Sequence, residues 1–314
     1  MRSAIAAFSI VLLVSINCFA FSSSENVGTT SFPFLLKMDI GARSTALAGA
    51  WIGWAKSADG FAHNPAAAAL MKSRGATASF GNYWGLFNAG FAGYYHSVSE
   101  NTGIAAGVRM VSYGGDFIRT DSEGNEHGTF SAGDFALYMT YAIKISKTIA
   151  VGLTMKPIYS SADTFTASAL CADIGTIIKF QRDKARVGIV LSNLGAMLST
   201  YGENKYPLPM MAKIGGYYTL PGFPGSFGAQ IETGNDVDIA ARMGIEFDFL
   251  KPAYLRVGYI FRPKPEEGDS DIEVWNGLTA GTGFDYKKVS FNYSMQHYGV
   301  LGIIHKFDLA YWGF

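Results

Sequence analysis

Charge is scarce in this sequence. Only 16% of its 314 residues are Asp, Glu, Lys or Arg, where a soluble domain carries about 25%. The two signs balance at 25 each, so no excess of Lys and Arg is available to displace counterions from a phosphate backbone. Nucleic acid is therefore not an expected partner. Disorder is excluded too, because disordered chains are poor in apolar residues and this one is 49% hydrophobic. Long apolar runs are missing after the first 20 residues: Gly, polar or charged residues interrupt every stretch before it reaches 18. That excludes a bundle of membrane-spanning helices. The five histidines (His63, His96, His127, His297 and His305) have no zinc-ligand spacing. Neither a G-x-S-x-G elbow nor a P-loop is present. No metal, cofactor or catalytic set is expected, and the chain is not read as an enzyme.

Cysteine is nearly absent as well, with Cys18 and Cys171 the only two. Met1-Arg2-Ser3 followed by the apolar run Ala4 to Ile16, with Ala20 at the end of Asn17-Cys18-Phe19-Ala20, has the pattern of a cleavable export signal over residues 1–20. Acylation of Cys18 is the alternative, against which Asn17 is a poor preceding residue. After cleavage Cys171 is alone, which rules out an internal disulfide. It falls on the polar face of its segment with no basic neighbour in sequence, and reads as inert.

What the sequence does have is glycine, with 37 residues, and aromatics, with 23 Phe, 17 Tyr and 5 Trp. From residue 76 onward its apolar pattern has period two. Fourteen segments alternate in this way: 76–84, 87–98, 102–113, 130–144, 147–159, 165–180, 184–194, 207–219, 226–233, 236–248, 252–261, 274–286, 288–298 and 301–313. No helix intervenes, so an antiparallel meander is expected. These segments match the 9–11 residues of a tilted membrane-spanning strand or slightly exceed it, whereas soluble strands average about 5–6.

Within the segments the charges avoid the large apolar residues. Ile104, Val108 and Met110 oppose Arg109. Phe135, Leu137, Met139 and Tyr141 oppose Asp134. Leu153 and Met155 oppose Lys156, and Ile174 opposes Asp173. Val237, Met243 and Ile245 oppose Arg242 and Glu246, and Leu255 and Val257 oppose Arg256. A barrel of about fourteen strands encloses a wide lumen, which polar side chains can line in water more readily than apolar ones can fill it. The apolar face is therefore expected outside, against lipid. The fold class expected is all-β: a transmembrane antiparallel up-and-down β-barrel. Tyr83-Trp84, Tyr94-Tyr95, Tyr217-Tyr218 and Tyr311-Trp312 are expected at its interfacial girdles. Phe314, closing the last alternating segment, is the kind of ending read by the outer-membrane assembly machinery.

Residues 42–72 are Ala-rich and read as two short helices. Ser44 is expected to cap the first, over Thr45 to about Trp51. Asn64-Pro65 starts the second, since Asn accepts from free N–H groups and Pro suits the first helical position. Ala66 to Met71 propagate it and Gly75 ends it. Asp59 has two readings: it caps the local turn, or it pairs with a lumen arginine. His63, beside Asn64, is read as part of the cap rather than as a ligand. Arg109, Arg242 and Arg256, with Asp134, Lys156, Asp173 and Glu246, are candidates for the lumen or a substrate path, the arginines balanced by carboxylates or orienting a substrate carboxylate.

The stretch Asp39-Ile40-Gly41-Ala42-Arg43-Ser44-Thr45-Ala46-Leu47-Ala48-Gly49-Ala50, then Ser57-Ala58-Asp59-Gly60-Phe61-Ala62-His63-Asn64-Pro65-Ala66, resembles the opening of PorV/PorQ-like proteins. It also resembles that of the FadL-type fatty-acid transporters, including a spirochaetal FadL-like group. Leu191-Ser192-Asn193-Leu194-Gly195, resembling the end of a middle strand, Leu255-Arg256-Val257-Gly258-Tyr259 and Gly277 to Phe284 extend the likeness. Ala67 stands where Gly often follows the Asn-Pro-Ala element, and the long extracellular insertions are lacking. The resemblance implies a fourteen-stranded outer-membrane barrel over residues 73–314. Residues 21–72 would form a leader and a helical hatch inside the lumen, with Asp59, Asn64, Pro65 and Ala66 as the hatch motif. It further implies uptake of long-chain fatty acids or similar hydrophobic small molecules, leaving through the wall or past the hatch, with outer-membrane lipid as surroundings. The alternative is a PorV-like non-conducting barrel that acts as an interaction partner in protein secretion or surface attachment. A soluble periplasmic lipid carrier is the third reading.

Overall fold

A computed structural model describes residues 28–115, 117–261 and 275–313. The expected export signal, Cys18 and Phe314 lie outside the described residues. The period-two segments become strands because alternation gives each one an apolar and a polar face. They are β1 (Arg74–Tyr83), β2 (Phe87–Ser97), β3 (Thr102–Ser112), β4 (Phe117–Thr120), β5 (Glu126–Phe130), β6 (Ala132–Lys144), β7 (Ile149–Ala162) and β8 (Phe165–Phe180). There follow β9 (Ala185–Ser199), β10 (Met211–Thr219), β11 (Gly225–Gly234), β12 (Val237–Phe247), β13 (Ala253–Phe261), β14 (Leu278–Tyr286), β15 (Val289–His297) and β16 (Ile303–Trp312). Fourteen of them close into one antiparallel barrel in which each strand pairs with the next, and β1 meets β16 from Gly75 opposite Trp312 to Tyr83 opposite Ile304. Closure removes the sheet edges that lipid cannot hydrogen-bond.

Three local details differ from expectation. The short hairpin β4–β5 stands outside the barrel sheet; its residues are almost all exposed, with Phe117 stacked on Phe130, and it is too short to show a period-two segment. The Asn-Leu-Gly stretch does not end β9. Asn193, at φ 61°, sits at a register shift, and the strand continues to Ser199. β10 starts late, at Met211, because Pro207 and Pro209 have no N–H to give the ladder.

Exposure follows the faces read from the sequence. Leu309 is 53% exposed, and the neighbouring Phe307 and Phe291 on the same outer belt are exposed too, while Arg256 is 2% exposed. A soluble protein does not present so continuous an apolar belt, and lipid requires one. The girdle expectation is corrected in part. Tyr83, Tyr95 and Tyr217 are buried inside, because consecutive residues of a strand point to opposite faces and a doublet gives only one ring to the rim.

The two ends of the barrel are unequal. The turns 98–101, 145–148, 181–184, 220–224, 248–252 and 287–288 have two to five residues and share one end. The other end carries the connections 113–131 and 200–210 besides short turns such as 163–164 and 235–236. Short turns mark the periplasmic end of such barrels and longer loops the outer end. Gly28 to Lys37 lie at the outer end, bonded to Asp236 in the β11–β12 turn and to Pro207 in the β9–β10 loop. The chain then passes through the lumen and enters β1 from the periplasmic end.

Candidate functional site

Inside the lumen the N-terminal segment forms only fragments of helix: α1 (Pro33–Leu36), α2 (Ala42–Ala46), α3 (Gly60–His63) and a 3-10 turn, Pro65–Ala69. Such pieces have no stability of their own, since an isolated helix needs about 12–15 residues to be even marginal. The wall completes them. Asp308 on β16 accepts from the N–H groups of Ala42 (2.7 Å) and Arg43 (3.1 Å), at the start of α2. Past its end, Arg242 on β12 donates to Ala48 O (2.9 Å), and Thr279 on β14 donates to Ala46 O. A carboxylate thus faces the positive end of the helix and a guanidinium the negative end. Ser44 is not the cap. It lies within α2 and donates to the Ile40 and Gly41 carbonyls, while Gly41 holds the cap position. Ala48 and Gly49 turn the chain at φ 56° and 75°. A Cβ at Gly49 would sit 2.5 Å from Arg242 Nη1, which accounts for glycine there.

Ion pairs join this part of the segment to β11–β13. Arg43 grips Glu246 with two bonds, of 2.8 and 3.0 Å. Arg256 reaches the same carboxylate at 2.6 Å and Asn292 at 2.8 Å. Arg242 joins Glu232 (2.6 Å) to Asp39 (3.0 Å). Lys306 donates to Asp39 O and Thr45 Oγ1. Two further candidates pair apart from this group: Lys156 lies 2.6 Å from Asp173 and 2.5 Å from Asn193 Oδ1, whose N–H donates to Asp173. Arg109 donates to Phe34 O, at 3.4 Å.

The other side of the lumen holds the segment differently. Asn64 Oδ1 accepts from Ala66 N, as a cap should, and its Nδ2 donates to Ile52 O (3.0 Å) and Thr176 O (3.1 Å). Pro65 begins the turn, which is a 3-10 turn ending at Ala69; Gly75 belongs to β1 and ends no helix. Ala66 to Ala69 pack against the wall where it presents Gly103 and Gly152. Asp59 holds the N-cap position of α3 without the expected bond. It accepts from Ser57 and lies 3.6 Å from His63 Nε2. No arginine among the described residues pairs with it.

At the outer end a cavity of about 560 Å³ opens between β6, β7, β9, the β9–β10 loop and the chain at Thr30–Pro33. Its size is that of a small-molecule site. Phe32, Pro33, Tyr113, Met197, Tyr201 and Tyr206 give it apolar and aromatic walls. Asp134, 7% exposed, is its buried charge. Tyr113 donates to Asp134 at 2.6 Å, Ser160 donates to its other oxygen, and Ser160 also bonds the Tyr201 hydroxyl. Burial, then the adjacent Asp134 carboxylate, push the Tyr113 hydroxyl far up from its ordinary value, so it stays a donor.

The sequence reading placed Asp134, Lys156, Asp173, Arg242, Glu246, Arg256 and Arg109 on the lumen side, where all are found, Arg242 by its bonds to Asp39 and Ala48. Asp134 alone of them lines the outer cavity. It missed Asp39 and Arg43 as anchors, though a charge inside an Ala-rich helical stretch signals a partner elsewhere. It also missed Lys306 and Asp308, which alternate with Phe307 and Leu309. Tyr113 and Ser160 had no signal.

Comparison with known proteins agrees with this architecture. The family model described as Type IX secretion system protein PorV matches residues 21–204. No curated protein matches. Among solved structures, the TodX deltaS2S3 mutant monoaromatic hydrocarbon channel superposes with a TM-score of 0.62 at 11% identity, over 86% of this chain and 98% of that one. The Pseudomonas putida toluene transporter TodX gives 0.57 at 11%, over 88% and 97%. A Pseudomonas aeruginosa FadL homologue gives 0.56 at 11%, over 88% and 99%. At such identities the likeness is one of fold.

Proposed function

The chain belongs to the PorV family of outer-membrane β-barrels, and we propose that it is a transport barrel admitting hydrophobic small molecules through its outer cavity, with the N-terminal segment as gate. The observation carrying this reading is the cavity: about 560 Å³, aromatic-walled, open at the outer end and bounded on the lumen side by Phe32 and Pro33. Long-chain fatty acids are the members of that substrate class named by the sequence resemblance. Binding and passage need no chemical step, so no catalytic residue is assigned. The hatch motif Asn64-Pro65-Ala66 is proposed as the anchor about which the segment shifts, and Phe314 as the ending read during assembly.

Locking the segment to the wall tests the gate. A Cβ at Gly281 would lie 2.6 Å from that of Ala46, about 1 Å closer than a disulfide requires. In a Cys171→Ser background, the Ala46→Cys/Gly281→Cys pair is expected to stop cellular uptake of a labelled aromatic hydrocarbon until a reductant is added. Uptake indifferent to the lock would sink the gate. A second reading follows from family membership and from the continuous wall: a non-conducting barrel that assists protein secretion or surface attachment. Absence of uptake with or without the lock, together with co-purification of secretion components, favours that one.

A further inference from the structure

The charge of the outer cavity says more about its ligand than its size does. A buried carboxylate is costly unless it is paired. In this lumen Glu246 has two arginines and Asp173 has Lys156, and Asp308 is met by two backbone N–H groups and the Asn292 amide. Among the described residues Asp134 has neither kind of partner. It is as buried as those groups, yet its partners are two hydroxyls, from Tyr113 and Ser160. Among the described residues no Lys or Arg lines the cavity, and Glu203 at its rim adds a second negative charge. A carboxylate has about four lone-pair sites, and two of these are taken. Around it stand the rings of Tyr113, Tyr201 and Tyr206, whose faces attract cations.

We infer that the outer cavity takes an amphiphilic organic cation, a protonated amine on a hydrophobic body, with its ammonium on Asp134, and rejects carboxylates. The ammonium supplies the charge that the wall omits, and the hydrophobic body fills the space between Phe32, Met197 and the tyrosines. A fatty-acid head group placed there would meet two like charges and no cation. This inference rests on reading the cavity as the ligand site, and it selects within the hydrophobic substrates proposed above.

Three water-soluble probes of equal length separate the possibilities: hexylamine, hexanol and hexanoate, titrated at pH 7 against the full-length protein in detergent by ligand-observed NMR. Hexylamine is expected to bind at least tenfold more tightly than hexanoate, with hexanol between them. Asp134→Asn, which removes the charge and keeps an acceptor oxygen for one of the two hydroxyls, is expected to lower hexylamine affinity about tenfold and leave hexanol unchanged. Heat-modifiable gel mobility establishes that the variant barrel is folded. The wild-type ranking needs no variant, so a misfolded Asp134→Asn would not protect the idea. Hexanoate binding as well as or better than hexylamine overturns the inference and leaves the transport reading standing, as does a folded Asp134→Asn that keeps the wild-type ranking. Failure of all three probes to bind overturns both.

Discussion

The two sides of the lumen hold the same segment differently. Toward β12–β16 the bonds are charged and directional: Arg43 to Glu246, Asp39 to Arg242, Asp308 to the start of α2. Toward β2–β8 the fit is one of backbone against backbone. A Cβ at Gly103 would meet Ala68 O at 2.0 Å, and one at Gly152 would meet the Pro65 carbonyl carbon at 2.4 Å. Charge pairs tolerate displacement of an ångström by re-forming at longer distance or through water, whereas interlocked small residues do not. The charged side has close glycine contacts as well, Gly244 against Leu47 and Gly258 against Ala48, so what distinguishes it is the ion pairs added there.

The largest effect that would break this comparison is at Glu246. Glu246→Ala leaves Arg43 and Arg256 buried without their shared carboxylate, and removing one partner of a buried pair costs about 3–5 kcal/mol. Thermal unfolding in detergent is expected to show a fall of that order, and a loss below about 1 kcal/mol would mean that water already compensates the arginines. On the other side, Gly103→Val forces a methyl into the Ala68 carbonyl. Overpacking of this kind costs about 1–3 kcal/mol, and the expected sign is faster proteolysis of residues 65–69 with the barrel strands still protected. Asn64→Ala removes the cap and the donors to Ile52 and Thr176, at about 1–2 kcal/mol. If it behaves like an exposed loop substitution, Asn64 is not the pivot.

The smallest effect concerns pH. Burial pushes Asp236 up, but bonds from Lys37, Thr30 and Gly28 outweigh it and hold the carboxyl below its ordinary value. A group lowered in this way contributes stability above its unfolded value, near 4, and that contribution fades as pH falls through the folded value. Hydrogen exchange at residues 28–31 is expected to quicken at pH 3 relative to pH 7, beyond the intrinsic pH dependence of exchange. Asp236→Asn should show the fast exchange already at pH 7. Equal protection in the variant at neutral pH would remove the charged tether from the account.

The barrel was largely readable because a strand writes its environment into alternate residues. Ile104 and Met110 around Arg109, or Leu255 and Val257 around Arg256, need no knowledge of neighbours to be sorted into two faces. Asn64-Pro65 was readable for a similar reason: a cap and its first N–H groups are adjacent in the chain. Ser44 was misread because Gly41 and Asp308 did the capping, and Asp308 lies 266 residues away from Ala42. The aromatic doublets were misplaced because composition suggested a girdle where alternation allows one ring in two.

By itself, then, the sequence determined an alternating chain too apolar on one face for water, fourteen strands long, opening with an Ala-rich segment that begins its second turn at Asn64. Only the tertiary structure decided which charges meet. Arg43 selects Glu246, Asp39 selects Arg242, and Asp134 is left with hydroxyls alone. The reason is physical: alternation is a local property set by successive backbone dihedrals, whereas pairing across a lumen depends on the register at which distant strands close the barrel and on the depth at which the N-terminal segment comes to rest.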